Sequence, residues 1–111
     1  MPKKNPTVVE KSSNALEVNG LTLDLDERLV TGDNGVHHLT PVECRLLKIF
    51  MTYPGRVLSH KFLMKKVWET DYTGDTRTLE VHICWLRKKV EDDTRHPQYI
   101  KTVKGARYQF G

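Results

Sequence analysis

The chain has 111 residues, 38% of them hydrophobic and 29% charged, which is the composition of one soluble globular domain with a short tail. No run of about 18 apolar residues occurs, and this excludes a membrane-spanning helix. The net charge of +4 is uneven, because residues 1–55 carry six Lys/Arg against seven Asp/Glu and residues 56–111 carry twelve against seven. A basic half of this kind attracts polyanions, although charge alone favours a solvated surface equally well.

Residues 1–13 contain prolines, lysines and serines and little to bury. We interpret them as a linker or tail and place the folded domain at residues 14–111. The first residues lack the apolar segment of a secretory signal, which predicts a cytoplasmic protein. Cys44 and Cys84 fall inside helical patterns and are predicted to be free thiols in that compartment.

Four short strands are predicted in the first third of the chain. Leu21 and Leu23 alternate with polar residues, which is the period of a half-buried strand. Asn19-Gly20 and Asn34-Gly35 accept the positive φ of tight hairpin turns, and Asp26-Glu27 offers a third reversal. The prediction is an antiparallel meander of four strands, Ala15–Val18, Leu21–Leu25, Arg28–Thr31 and Val36–Leu39.

Two helices are predicted to follow. Thr40, Pro41 and Glu43 form a capping-box pattern, in which the threonine and glutamate side chains satisfy backbone amides at a helix start. Tyr53-Pro54-Gly55 ends this first helix. The second begins at about Ser59, and its inward-facing residues are predicted to be Phe62, Leu63, Val67 and Trp68.

A third helix is predicted from about residue 76 to residue 91. One face is apolar and consists of Leu79, Ile83, Leu86 and Val90. The opposite face mixes cations with apolar groups and consists of Arg77, Val81, Cys84, Trp85 and Lys88. An exposed valine and tryptophan are costly in water unless something covers them. Two strand-like stretches, Tyr99–Val103 and Arg107–Phe110, then predict a hairpin with cations near its tip.

Three helices followed by a basic hairpin predict a helix-turn-helix with a wing. The major groove of DNA admits one α-helix, which needs cations for phosphates and polar or apolar groups for base edges. Arg77 and Thr78 are placed to reach phosphates or bases, and Val81 to pack on a thymine methyl group. Further along, phosphate contacts are predicted for Arg87, Lys88 and Lys89. In the hairpin, minor-groove contacts are predicted for Lys104 and Arg107.

Several motifs occur in the order and spacing of one known family. They are Leu39-Thr40-Pro41-x-Glu43-x-x-Leu46-Leu47, Pro54-Gly55-x-Val57-Leu58-Ser59, Val67-Trp68, Arg77-Thr78-Leu79-Glu80-Val81-His82-Ile83, Leu86-Arg87-Lys88-Lys89-Val90-Glu91 and Tyr99-Ile100-x-Thr102-Val103-Lys104-Gly105-x-x-Tyr108-x-Phe110. Together they span nearly the whole domain and resemble the C-terminal DNA-binding domain of OmpR/PhoB-family response regulators. Their order and spacing make the resemblance specific.

The resemblance implies an α+β fold, a winged helix-turn-helix with an N-terminal four-stranded antiparallel sheet, three helices and a C-terminal β-hairpin wing. It implies dimers on tandem half-sites of double-stranded DNA, with the third helix in the major groove. Residues that match Trp68, Arg77 and Thr102 typically contact phosphate in the family. The residues selected for the DNA-binding site are Trp68, Arg77, Thr78, Val81, Trp85, Arg87, Lys88, Thr102, Lys104 and Arg107.

The resemblance also implies protein partners. Some family members touch RNA polymerase with the loop that matches residues 69–75. Members usually carry an N-terminal receiver domain that a cognate histidine kinase phosphorylates. That receiver is absent from this sequence, so the chain is expected to be either an excised effector domain or one that acts alone.

Two positions depart from the family pattern. The family commonly has arginine where Trp85 stands, and an indole cannot bond guanine bidentately, so base preference is expected to shift towards thymine methyl groups. Alternatively, Trp85 is half-buried against the wing or a neighbouring subunit. The family usually has glycine where Arg107 stands, so the turn must tolerate a side chain. Lys104 replaces the usual wing arginine with a point charge.

Other functions are weighed against DNA binding. A winged helix that docks its third helix on a protein would use Val81, Cys84 and Trp85 as a hydrophobic anchor. The sequence shows no nucleophile–base pair, glycine-rich phosphate loop or paired-carboxylate motif, so neither an enzyme nor a cofactor is predicted. The histidines show no ligand spacing with the two cysteines, so no metal site is predicted.

Overall fold

The computed structural model describes residues 14–70, 77–105 and 107–111, which form two antiparallel sheets and three helices. The predicted tail, residues 1–13, lies outside the described residues. The strands are β1 (Ala15–Val18), β2 (Leu21–Asp24), β3 (Leu29–Gly32), β4 (Gly35–His38), β5 (Val57–Ser59), β6 (Ile100–Val103) and β7 (Arg107–Phe110). The helices are α1 (Pro41–Thr52), α2 (His60–Trp68) and α3 (Arg77–Val90).

The first sheet has the predicted meander order β1-β2-β3-β4. Asn19 and Gly20 both have positive φ, 55° and 84°, which confirms the first predicted hairpin turn. The prediction for the last hairpin was one residue out of place. Strand pairing joins Gly32 to Gly35, so Asp33 and Asn34 form the loop, and only Gly35 of the predicted Asn-Gly pair has positive φ.

The capping box at the start of α1 is confirmed. The backbone amide of Glu43 donates to Thr40 Oγ1 at 3.2 Å, and the amide of Thr40 donates to Glu43 Oε1 at 2.9 Å. At the start of α2, the backbone amide of Phe62 donates to Ser59 Oγ at 3.1 Å. Both helix starts therefore follow from local sequence, because a short polar side chain replaces the missing intrahelical partner.

The core lies between the helices and the inner faces of both sheets. The face of α3 that was predicted to be apolar is buried along its whole length, and α3 packs against both other helices and β3. Phe62 and Trp68 of α2 are only half-buried at the edge of the core, whereas Leu63 and Val67 are fully inside. The core residues of α1 and α3 are Leu46, Leu47, Phe50, Met51, Leu79, Ile83, Leu86 and Val90.

The second sheet contains a strand that the sequence analysis missed. Its order is β5-β7-β6, so the short segment between α1 and α2 pairs with the last strand of the chain. Leu58 lies opposite Tyr108, and both side chains are buried. This pairing joins the hairpin of β6 and β7 to the segment between α1 and α2, and it makes β7 the central strand of a three-stranded sheet.

Two polar side chains fix the end of α3. Glu91 is 3% exposed, and its carboxylate accepts from the backbone amides of Gln98, Tyr99 and Ile100 at 2.7–3.2 Å. Asn34 Nδ2 donates to the carbonyl groups of Lys89 and Glu91 at 3.2 and 3.3 Å. The turn between β3 and β4 thus bonds the C-terminal carbonyls of α3, and Glu91 sets the path of the chain into β6.

Candidate DNA interface

The outer side of α3 is exposed at all five residues that were predicted to form it, which are Arg77, Val81, Cys84, Trp85 and Lys88. Arg77 and Thr78 lie in its first turn, Val81 and Trp85 in its middle, and Lys88 towards its end. Val81 is 41% exposed and Trp85 is 48% exposed, so two large apolar side chains face solvent between cations. Burial of this face inside the molecule would have excluded a docking role for α3, and the structure leaves it accessible.

Beside this face, three aromatic side chains contact one another in sequence: Trp68 of α2, then His82 and Trp85 of α3. The His82 ring lies between two indoles, with its centroid 5.2 Å from that of Trp68 and 5.1 Å from that of Trp85, each pair edge to face. His82 Nδ1 lies 2.7 Å from the carbonyl oxygen of Thr78. His82 is not among the site residues predicted from the sequence. The signal available was its spacing, since residues 78, 82 and 85 share one side of a helix.

Arg87 makes contacts that differ from the predicted phosphate contact. Its Nε donates to the carbonyl of Ile100 at 2.9 Å, and its Nη2 donates to Thr102 Oγ1 at 2.8 Å. The guanidinium carbon lies 5.9 Å from the centroid of the buried Tyr108 ring. The half-buried Arg87 side chain therefore bonds α3 to the hairpin of β6 and β7, which requires a long-range contact that no local pattern reveals.

A phosphate contact was predicted for Lys89, and the structure shows this side chain partly buried and paired with a carboxylate. Its Nζ lies 2.6 Å from Glu43 Oε1, and the glutamate is 2% exposed. A buried carboxylate without a partner destabilises the fold. The ammonium group of Lys89 therefore pairs with Glu43 of α1. Of the three consecutive cations, only Lys88 has an exposed side chain, whereas Arg87 and Lys89 are partly buried.

The hairpin presents three predicted site residues to solvent. Thr102, Lys104 and Arg107 are exposed. Val103 pairs with Arg107, and Gly105 in the intervening turn has a φ of 87°. The side chain at position 107 is tolerated because this residue lies in strand β7 and the left-handed position belongs to glycine. Arg107 Nε donates to the carbonyl of Lys104 at 3.0 Å, which folds its guanidinium back over the turn.

Burial changes the pKa of a phenol in the hairpin and of a thiol on α1. Burial raises the pKa of the Tyr108 phenol, Glu80 raises it further, and Arg87 opposes this shift. The phenol is therefore neutral where Arg87 packs on it. Burial also raises the pKa of the Cys44 thiol, whereas Cys84 is exposed on α3. Neither cysteine is in a disulfide.

The described part of the chain comprises residues 14–70, 77–105 and 107–111. In this part of the chain, no three His, Cys, Asp or Glu side chains converge where they would hold a metal ion. No helix in the same residues is both long and apolar enough to cross a bilayer. The exposed face of α3 and the adjoining hairpin combine cations with exposed apolar side chains.

Comparison with known proteins agrees with this geometry. Residues 34–110 match the family model described as transcriptional regulatory protein, C terminal. The chain is 39% identical over 111 residues to the phosphate regulon transcriptional regulatory protein PhoB of Klebsiella pneumoniae, which covers 99% of this chain and 46% of that protein. It is 43% identical over 96 residues to the alkaline phosphatase synthesis transcriptional regulatory protein SphR of Synechococcus elongatus, which covers 86% and 37% respectively.

Among solved structures, the DNA-binding domain of Klebsiella pneumoniae RstA in complex with the RstA box has a TM-score of 0.77 at 29% identity, covering 87% of this chain and 96% of that chain. The chain spans less than half the length of PhoB and SphR, so it corresponds to one part of those relatives. The family match runs from the turn before β4 to the end of β7 and includes every candidate interface residue. The chain therefore belongs to the family of C-terminal domains of transcriptional regulatory proteins and, as its motifs indicated, to the OmpR/PhoB type of response regulator.

Proposed function

We propose that this chain binds double-stranded DNA sequence-specifically and regulates transcription as the output domain of a cytoplasmic two-component response regulator. One observation carries the proposal: α3 exposes Val81 and Trp85 between the cationic residues Arg77 and Lys88. A helix with its apolar face in the core and this mixed face outward has the width and chemistry that the major groove accepts. RstA, a structural neighbour, is a DNA-binding domain that was solved with its DNA box.

In this proposal, some residues of α3 provide affinity and others provide sequence preference. Arg77 and Lys88 neutralise phosphates, which gives affinity without sequence preference. Val81 and Trp85 contact base edges, where an apolar side chain selects the thymine methyl group. Thr78, in the first turn, is placed to reach a phosphate or a base edge.

The hairpin of β6 and β7 acts as the wing. Lys104 and Arg107 lie beside its turn and supply positive charge to a minor groove, whose negative potential attracts cations. Thr102 contacts phosphate next to Arg87, which bonds its hydroxyl oxygen. Trp68, half-buried at the end of α2, offers its indole N–H to a phosphate.

The proposed partners follow from the family. Two copies bind tandem half-sites, and in the full-length protein a receiver domain, phosphorylated by a cognate histidine kinase, precedes this domain. The loop at residues 69–75 is the candidate contact with RNA polymerase; positions 71–75 lie outside the described residues. Binding of one domain to one half-site is weak, and tandem sites raise the effective concentration of the second copy.

Titration of a duplex at two salt concentrations tests the proposal. If about four phosphates are neutralised, affinity falls by roughly 100-fold between about 50 and 200 mM salt, because condensed counterions are released. A duplex selected from a random pool is then expected to bind more tightly than a scrambled duplex at both concentrations. Salt-independent binding would favour the alternative in which α3 docks on a protein. Salt-dependent binding with equal affinity for both duplexes would contradict sequence-specific recognition.

A further inference from the structure

The imidazole of His82 is wedged between the two tryptophans of the chain. Its centroid lies 5.2 Å from the Trp68 ring and 5.1 Å from the Trp85 ring, with interplanar angles of 70° and 67°. Trp68 ends α2, and Trp85 stands in the middle of α3, so the contact joins the two helices. His82 is half-buried, whereas Trp85 is 48% exposed on the outer face.

A hydrogen bond fixes the orientation of this imidazole. His82 Nδ1 lies 2.7 Å from the carbonyl oxygen of Thr78, one turn earlier in α3. Because a carbonyl oxygen only accepts, Nδ1 carries the proton and donates. Side chains of a helix lean towards its N-terminus, so the Trp85 indole leans towards the residue three positions before it. The ring on which it leans is therefore held from two sides, by Thr78 and by Trp68.

We propose that His82 is a positioning residue for sequence readout, which holds the exposed Trp85 indole in one orientation on the DNA-facing surface. The inference rests on the proposed function. A half-exposed indole without a neighbour would sample several rotamers and lose that freedom on binding, which weakens recognition. Edge-to-face contact with a fixed ring already restricts the indole in the unbound protein, so less conformational entropy is lost when DNA binds. This arrangement belongs to Trp85 itself, because an aliphatic or guanidinium side chain would not make the same edge-to-face packing.

The first test needs no DNA. The chain contains two tryptophans, so Trp68→Phe keeps a ring against His82 and leaves Trp85 as the single tryptophan, which is excited selectively at wavelengths that tyrosine does not absorb. In that background we expect His82→Ala to lower the fluorescence anisotropy of Trp85, because its indole gains local motion. His82→Phe is expected to retain the anisotropy, since it restores a ring at the same position. Unchanged anisotropy in the alanine variant would overturn the inference.

The second test measures sequence preference. In binding-site selection, His82→Ala is expected to reduce, by roughly two- to tenfold, the same base preferences that Trp85→Ala reduces. The double variant His82→Ala/Trp85→Ala is expected to have the profile of Trp85→Ala alone, because a positioning residue has no effect without the residue that it positions. His82→Phe is expected to keep the wild-type profile. Lys88→Ala is the control and is expected to weaken every sequence alike.

The outcomes separate this inference from the proposed function. If the wild-type chain prefers no sequence, the proposed function fails and this inference fails with it. If the wild type is selective and Trp85→Ala changes the profile, but His82→Ala weakens all sequences equally, only the positioning role is overturned. If His82→Ala does not fold, His82→Leu fills the same space without an aromatic ring and is expected to give the same loss of preference.

Discussion

Arg87 Nη2 donates to Thr102 Oγ1 across 2.8 Å, and this bond joins the last turn of α3 to the proposed wing. The same guanidinium donates from Nε to the carbonyl of Ile100, at the first residue of β6. Its planar fork makes both bonds while it packs over the Tyr108 ring. Helix α3 and the hairpin are thus held in one fixed relation, which a surface spanning adjacent grooves requires.

Arg87→Lys is expected to loosen this connection. An ammonium group cannot reproduce two bonds in a fixed fork, so we expect the free energy of unfolding to fall by about 1–3 kcal/mol. DNA affinity is expected to fall for all sequences, because the wing loses its position relative to α3. Urea denaturation measures the first effect and duplex titration the second. The control is Lys88→Ala, which is expected to weaken DNA binding without a comparable loss of stability. If Arg87→Lys were as stable as the wild type, this would contradict a role of Arg87 in bridging α3 and the hairpin.

Substitutions on the outer face of α3 are expected to separate affinity from preference. Arg77→Ala and Lys88→Ala should each reduce binding to all sequences alike and lower the salt slope by about one, because a phosphate contact is lost. Trp85→Ala should instead change which sequences are preferred, by about 1–3 kcal/mol at the bases it contacts. Selection from a random duplex pool gives the profile for each variant. A Trp85→Ala profile identical to that of the wild type would rule out base reading by this indole.

Glu91 is buried and is not one of the proposed interface residues, and Glu91→Ala is expected to destabilise the fold. The buried carboxylate accepts from three successive backbone amides, and its loss leaves them without a partner at the entry to β6. We expect a loss on the order of 3 kcal/mol in the free energy of unfolding, and a smaller loss for Glu91→Gln, which keeps one acceptor oxygen. The neighbouring Asp92 is exposed, so Asp92→Ala should change stability by less than about 0.5 kcal/mol. Equal effects at positions 91 and 92, measured by thermal or urea unfolding, would be inconsistent with this bonding.

The two thiols are expected to react at very different rates. Cys84 is exposed, whereas Cys44 is 7% exposed and burial raises its pKa. A raised pKa means less thiolate at a given pH, so between about pH 7 and 9 iodoacetamide should label Cys84 well before Cys44 in the folded protein. Denaturant should abolish the difference. Peptide mass spectrometry identifies the labelled residue, and Cys84→Ser provides the matched control.

Bound duplex is expected to protect Cys84 from that reagent. Cys84 precedes Trp85 on the outer part of α3, so a groove that receives this helix also covers the thiol. Labelling of Cys44 should be the same with and without DNA. Unprotected Cys84 at saturating duplex would place the DNA elsewhere on the molecule.

Much of the fold could be predicted from the sequence because its signals are local. The Thr40 and Glu43 capping box and the Asn19-Gly20 turn each involve residues within three positions of one another, and both occur as predicted. The apolar face of α3 follows from the helical period alone. The exposure of Val81 and Trp85 follows from the same period, since residues opposite a buried stripe face outward.

Tertiary structure decided what depends on residues far apart in the sequence. The three residues of β5 are too few to show a strand pattern in the sequence. The strand forms because Leu58 pairs with Tyr108, fifty positions later in the chain. The same reason separates the three cations at the end of α3. Arg87 bonds the wing, Lys89 pairs with Glu43, and Lys88 stays exposed. Three neighbouring residues of the same charge thus have different roles. Burial and the geometry of each partner set the free energy of each ion, and local spacing in the sequence encodes neither.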